Sequence, residues 1–198
     1  MPKLQNCEKN HSVCREARAA KGGLPRRLLD IGFKEGDAIR LIESCNLGGG
    51  DHKYAIVSHR WCFNKELMFR TLDSNLNDRM RGIPMQGMPA VLKDSIKVAR
   101  DFGIQYLWID TVCLIQDNWD DKKKEIMSMG KYYSNACFTI AASSSADTTA
   151  PFLTARESYY EPETFSFGED GASDVRVRIW GLQGHLRRRV RFANINDV

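Results

Sequence analysis

No apolar run in the 198 residues reaches the roughly 18–20 needed to cross a bilayer, so no membrane span is expected. The stretch from Met1 to Glu16 is polar and has no apolar core of the kind that opens a secretory signal. The chain is therefore expected to be cytoplasmic. Its six cysteines then face a reducing compartment and read as buried thiols, metal ligands or reactive groups, not as a disulfide framework. Charge is nearly balanced: the net value of +4 is mild, and nucleic acid is not an expected partner, since its binders concentrate cations on one face or arm. Gly48-Gly49-Gly50 is not followed by Lys-Ser/Thr and a helix, which excludes a phosphate-binding loop of that type. The four histidines, at 11, 52, 59 and 185, define no Ser/His/Asp order. There is no internal repeat and no long low-complexity tract.

What is present is an alternation. Asp37 to Ser44 reads as a short strand and Gly48 to Asp51 as a turn. Tyr54-Ala-Ile-Val-Ser58 is short, apolar and β-branched, as a buried central strand should be. Residues 64–88 read as one or two helices and a loop. Pro89 suits the first position of a helix, where its missing N–H costs nothing. Val91, Leu92, Ile96, Val98, Ala99 and Phe102 then form an apolar stripe at helical spacing, closed by Gly103. Ile104 to Asp110 is the next strand, Trp119 to Asn135 the next helix, and Cys137 to Ser143 a third strand. Strand, helix, strand, helix, strand implies a parallel sheet with helices on its faces, a three-layer α/β domain. After the polar loop 143–150 the pattern changes. Asp174 to Trp180 alternates strictly, with Val175, Val177 and Ile179 inward, so the C-terminal segment is expected to be partly β.

Open parallel sheets place their sites at the C-terminal ends of the strands. Two such ends are chemically rich here. Ser58-His59-Arg60-Trp61-Cys62 follows the first central strand, and Asp110-Thr111-Val112-Cys113-Leu114-Ile115-Gln116-Asp117 follows the second. If the strands are neighbours, both segments line one crevice. Arg60 would hold a phosphate or carboxylate, Trp61 would stack on a flat ring, and Asp110 with Gln116 would bind hydroxyls. The alternative is that Asp110 caps a turn, Trp61 packs under a loop and Arg60 is solvated. Cys113 has no base partner within its motif and reads as a buried thiol. Glu125, after Lys122-Lys123-Lys124, reads as a carboxylate favoured near a helix N-terminus. Cys7, His11 and Cys14 put three soft ligands within eight residues. Zinc would accept them if Cys45 or His52 supplied a fourth; the alternative is a polar terminus without metal. His185 to Arg191 is basic and reads as a solvated strand or tail, or as a localisation or anion-binding segment.

In order and spacing these segments resemble the heterokaryon-incompatibility (HET) domain of filamentous fungi. Leu24-Pro25-Arg26-Arg27-Leu28-Leu29-Asp30-Ile31-Gly32 is similar to the opening of that domain, and Ile39 to Ser44 to the strand after it. Tyr54 to Trp61, Tyr106 to Asp117, Glu125, Met129-Gly130, Tyr133 to Ala136 and Thr139 to Ala142 continue in register. The likeness covers about residues 24–153, which gives a lead-in over 1–23, a core over 24–153 and a C-terminal segment over 154–198. The chain departs from the pattern at Arg60-Trp61-Cys62, and residues 154–198 show no counterpart of the family's later aromatic segment, so that segment reads as a divergent or shortened end.

The resemblance implies incompatibility or innate-immune-type signalling that triggers regulated cell death. It also implies a distant likeness to Toll/interleukin-receptor (TIR) domains, which have a flavodoxin-like parallel sheet. Some TIR domains hydrolyse NAD, using a glutamate in the helix after a central strand. By that analogy Glu125 and Asp110 would be catalytic, with Ser58, Arg60, Trp61, Cys113, Gln116 and Asp117 binding substrate. The rival implication is a non-catalytic, self-associating adaptor. Either way the expected partners are copies of the same chain on activation and an upstream sensor or incompatibility protein.

Overall fold

The computed structural model describes Asn10, residues 23–62, Asn64 and residues 68–154, together with the backbone of three later strands. The chain divides into two compact units, one ending at Phe152 and the other beginning at Leu153. Cys7, His11 and Cys14 lie outside the described residues, as does most of the basic stretch from His185.

From residue 23 on, the first unit begins with an antiparallel pair, β1 (Arg27–Asp30) and β2 (Arg40–Glu43), in which Arg27 faces Glu43 and Asp30 faces Arg40. The connection turns on Gly32, whose φ of 62° is in the left-handed region and where a Cβ would lie 2.3 Å from that of Asp37. The Asp37 carboxylate accepts 2.8 Å hydrogen bonds from the backbone N–H groups of Phe33 and Lys34. Asp37 is thereby committed to the turn, and the strand expected from Asp37 begins only at Arg40.

Three central strands follow: β3 (Tyr54–Ser58), β4 (Tyr106–Ile109) and β5 (Thr139–Ala141). β3 pairs in parallel with β4 on one side, Val57 opposite Ile109, and with β5 on the other, Val57 opposite Ile140. The parallel pairing expected for these three segments is present. The sheet as a whole is mixed, in the order β2-β1-β4-β3-β5, because β1 joins β4 antiparallel, Leu29 opposite Leu107. The wholly parallel sheet is corrected on this point. A short turn between β1 and β2 permits only antiparallel pairing, and β1 brings that hairpin onto the free side of β4.

From residue 23 on, the α-helices among the described residues of the first unit are α1 (Leu76–Arg81), α2 (Ala90–Asp101), α3 (Asp110–Cys113) and α4 (Trp119–Asn135). Of the stripe expected on α2, Val91, Leu92, Ile96 and Ala99 are buried, Val98 is half-buried, and Phe102, at the C-cap, is exposed. Pro89 stands one position earlier than expected, at its N-cap. The helix ends in a Schellman motif. Gly103, with φ of 70°, donates to the Arg100 carbonyl at 2.9 Å, and Ile104 donates to the Ala99 carbonyl at 2.9 Å. α4 is capped by the Asn118 side chain, which accepts from the Asp121 N–H at 3.1 Å. The core gathers Leu28, Leu29, Ile56, Leu107, Trp108 and Ile109 from the strands with Val91, Leu92, Ile96 and Ala99 of α2, all fully or almost fully buried. Each such side chain contributes about 1.5–3 kcal/mol relative to exposure.

The second unit is an antiparallel meander, β6 (Glu163–Phe167), β7 (Ser173–Trp180) and β8 (Arg189–Asn194), in the order β6-β7-β8. The alternating segment Asp174 to Trp180 falls on its central strand.

Candidate functional site

Because β3 and β4 are parallel neighbours in register, their C-terminal ends deliver Ser58-His59-Arg60-Trp61 and Asp110 to the same edge of the sheet. Asp110 is the hub. Its Oδ2 accepts from Trp61 Nε1 at 2.9 Å and its Oδ1 from the Thr111 N–H at 2.7 Å. Its carbonyl accepts from Gln116 Nε2 at 2.8 Å. Burial raises the Asp110 carboxyl above the usual carboxylate range, opposed by the nearby His59, the Trp61 hydrogen bond, the Thr111 N–H and Lys122. Burial also lowers the His59 imidazole, opposed by the Asp110 charge. Both groups are thus pushed toward their neutral forms, as happens at sites that handle protons. Trp61 remains 36% exposed, with Lys122 Nζ 6.0 Å from its ring centroid.

Other expected residues are near this hub to differing degrees. Ser58 is exposed at the end of β3, and its carbonyl accepts from Ala142 N at 2.9 Å. Arg60 is exposed and close enough to Asp147 to help hold that carboxyl low, behind its hydrogen bonds with Thr149 and Ala150. Gln116 is half-buried beside Asp110, with its Oε1 shielded from solvent. Asp117 turns elsewhere. Its Oδ1 accepts from the Asp73 N–H at 2.9 Å, which pins the loop before α1. Cys113 is fully buried; it accepts from the Ile109 N–H at 3.4 Å, and burial pushes its thiol up to about 12. Cys113 thus packs in the core after β4, and Asp117 anchors the loop before α1.

Glu125 lies on α4. It is 3% exposed and belongs to a charged cluster under α4. Arg27, itself 1% exposed, pairs with Asp121 and donates through Nε to the Cys113 carbonyl at 2.8 Å. Arg26 donates to the other oxygen of Asp121 at 2.9 Å, and the Tyr132 hydroxyl donates to Glu125 Oε2 at 3.2 Å. Burial raises the Glu125 carboxyl, opposed first by Arg27 and then by the Tyr132 hydrogen bond. Its hydrogen-bond and charge partners are Tyr132, Arg27, Asp121 and Arg26, whereas Asp110 is bonded to Trp61, Thr111 and Gln116. Cys113 stands between them, within electrostatic reach of Arg27, Glu125 and Asp110.

The residue that sequence reasoning left without a role is His59. Its signal was positional: it follows the end of one central strand as Asp110 follows the end of the next. Among the described residues no group of three His, Cys, Asp or Glu is placed to hold a metal ion. Cys45 is exposed, and His52 Nε2 lies 2.7 Å from the Gly48 carbonyl. No helix among the described residues is long and apolar enough to cross a membrane.

Fold and site together define an α/β domain with a polar cluster at the C-terminal ends of its parallel strands. The family model described as heterokaryon incompatibility protein (HET) matches residues 54–190, well over half of the chain, and the chain belongs to this family. The match takes in β3 through β7 and the first residues of β8, and so includes most of the C-terminal strands. Membership gives the chain a role in fungal heterokaryon incompatibility. No curated protein and no solved structure matches the chain.

Proposed function

We propose that this domain is a cytoplasmic effector of incompatibility and innate-immune-type signalling that triggers regulated cell death by hydrolysing NAD in a TIR-like strand-end crevice. The reaction breaks the bond between the ribose C1′ and the nicotinamide nitrogen, and the electron pair leaves with nicotinamide. A water oxygen bonds to C1′, and the proton it sheds passes to Asp110. The observation that supports this reading is the meeting of Asp110, His59 and Trp61 on adjacent strand ends. A carboxyl with a raised pKa is a better base near neutrality than an ordinary one, and its negative form opposes the positive charge that develops on the ribosyl ring. Trp61 offers an exposed ring for stacking, Arg60 a cation for the pyrophosphate, and Ser58 and Gln116 partners for hydroxyls. Glu125 acts through Arg27 and α4 as a positioning residue.

The test is NAD cleavage by the purified, concentrated protein, followed by mass spectrometry. Asp110→Asn should lower turnover by about 10²–10³ while the thermal melt stays within a few degrees. Unchanged turnover in that variant would overturn the assignment.

A second reading, the self-associating adaptor, is favoured by one observation on α4. Its buried face carries Asp121, Glu125 and Tyr132, while Trp119 is 74% and Met127 78% exposed. Association of the domain with copies of itself on activation would cover these side chains, with an upstream sensor or incompatibility protein as the trigger. Absence of cleavage in the parent, combined with concentration-dependent assembly that Met127→Glu abolishes, would select this reading.

A further inference from the structure

A cleft of about 740 Å³ lies between residues 68–72, α1 and the start of α2. Its charged lining is all of one sign: Arg70, Arg79 and Lys93 line it, and no Asp or Glu among the described residues does. Phe69, Leu72 and Met88 form its apolar walls. Arg79 is half-buried, with its Cζ 4.0 Å from the centroid of the Phe69 ring. Its Nη2 donates to the Arg70 carbonyl at 2.8 Å and its Nε to Asn75 Oδ1 at 3.3 Å. These three partners all line the cleft, so the guanidinium is part of its wall.

Both acceptors of Arg79 are neutral. Burial pulls the guanidinium below its ordinary value, and no carboxylate opposes that effect. The side chains of Arg70 and Lys93 make no ion pair or hydrogen bond among the described residues. Acids close in sequence are engaged elsewhere. Asp94 Oδ2 accepts from the Phe152 N–H at 2.8 Å, and Asp73 Oδ2 from the Asn118 amide at 3.4 Å. Like charges lining one concave surface focus their field and concentrate anions there. The first turn of α2 adds to that field. Ala90 lines the cleft, and Pro89, at the N-cap, provides no side-chain cap for the positive end of the helix.

Charge and size select the anion. A carboxylate carries one negative charge, whereas a phosphate ester carries about 1.5–2 at neutral pH and three strong acceptor oxygens, enough to meet three separate cations. The cleft falls within the roughly 300–1,000 Å³ typical of small-molecule sites, larger than a phosphate group alone would fill, and its apolar walls offer surface for an organic remainder. We infer that this cleft binds a phosphorylated small molecule, with Arg70, Arg79 and Lys93 holding its phosphate groups and Phe69, Leu72 and Met88 its organic part. The inference does not depend on the proposed reaction, because none of the lining residues belongs to the Asp110 cluster. The cleft wall is tied to that cluster through the backbone: Thr71 donates to the Thr111 carbonyl at 3.0 Å and accepts from the Gln116 N–H at 2.8 Å.

The experiment is equilibrium dialysis of the full chain against inorganic pyrophosphate, ADP and adenosine. Pyrophosphate and ADP should bind, ADP the more tightly, and adenosine should not. The double variant Arg70→Met with Lys93→Met should bind both about tenfold more weakly or worse, since each removes a charged hydrogen-bond donor. It should melt no lower than the parent, because neither side chain has a protein partner to lose. Lys123→Met removes an exposed cation of α4 and should bind as the parent does. Vesicles containing phosphatidic acid present the same phosphate on a surface and should not sediment the protein. Four results would overturn the inference: no binding of pyrophosphate or ADP, parental affinity in the double variant, an equal loss in Lys123→Met, or sedimentation with the vesicles. NAD left intact while pyrophosphate binding needs Arg70 and Lys93 sinks only the proposed reaction. NAD cleaved while the double variant binds pyrophosphate like the parent sinks only this inference.

Discussion

Arg27, on the first strand of the sheet, and Asp121, on the first turn of α4, are joined inside the protein across 94 residues of chain, with side chains 1% and 4% exposed. The Arg27 Nε hydrogen bond to the Cys113 carbonyl extends this link to α3, the short helix that begins with Asp110. A buried ion pair thus connects the hairpin, the long helix and the segment that carries the site.

Arg27→Met should destabilise the fold by about 3–5 kcal/mol, because Asp121 is left as a buried charge with only the half-exposed Arg26 beside it. Chemical denaturation should show a lower midpoint with an unchanged slope. The double variant Arg27→Met with Asp121→Leu should recover much of the loss, since replacing both partners by apolar groups removes the uncompensated charge.

Glu125 gives a stability profile with a definite sign. Its folded-state pKa is raised above its unfolded value, chiefly by burial. The native state therefore holds the proton more tightly, and stability falls as pH rises from the ordinary carboxylate range through the raised value. Glu125→Gln mimics the protonated group and should flatten that decline. Melting temperatures from pH 4 to 8 for parent and variant should diverge with increasing pH, the variant being the more stable at the alkaline end.

The Trp61 hydrogen bond lowers the Asp110 carboxyl against the raising effect of burial. In Trp61→Phe that opposition is lost, and the pKa should climb further. The acid limb of the proposed NAD cleavage, in which Asp110 acts as the ionised carboxylate, should accordingly move to higher pH, and the stability cost should be only about 1 kcal/mol at this partly exposed position. A pH–rate profile compared with that of the parent checks the direction.

Gly32→Ala should cost about 1–3 kcal/mol, because an alanine there must hold a left-handed backbone and displace Asp37 from the turn. Thermal melting reads the loss directly. The strand-end site, far along the chain from this turn, should keep its ligand affinity at temperatures where the variant is folded.

The regular parts of this fold were legible because their burial is written in side-chain periodicity. The α2 stripe and the strands at Tyr54, Tyr106 and Thr139 read directly from apolar spacing, and Trp119 to Asn135 matches the long helix end to end. β1 did not read as a strand. Only Leu28 and Leu29 are apolar in it, and the burial of Arg27 depends on Asp121, which no local pattern contains. The same long-range pairing explains Glu125: its burial rests on Arg27 and on a helix that turns its polar side inward, against the usual rule of amphipathic packing. Asp110, Trp61 and Gln116 were legible as strand-end residues. The burial of both His59 ring nitrogens was not, since it is visible only once the surrounding atoms are in place.

The hairpin at Arg27–Glu43 also bears on where the folding unit starts. The family match begins at Tyr54, yet β1 occupies the side of β4 away from β3 and supplies the cation for Asp121. A protein shortened to begin at Tyr54 would leave β4 as an edge strand, with Leu107 and Tyr106 deprived of their partners on β1, Leu29 and Asp30. Such an edge is a ready template for pairing with another chain. Aggregates formed by that fragment would then report a missing strand, and would easily be mistaken for signalling assemblies.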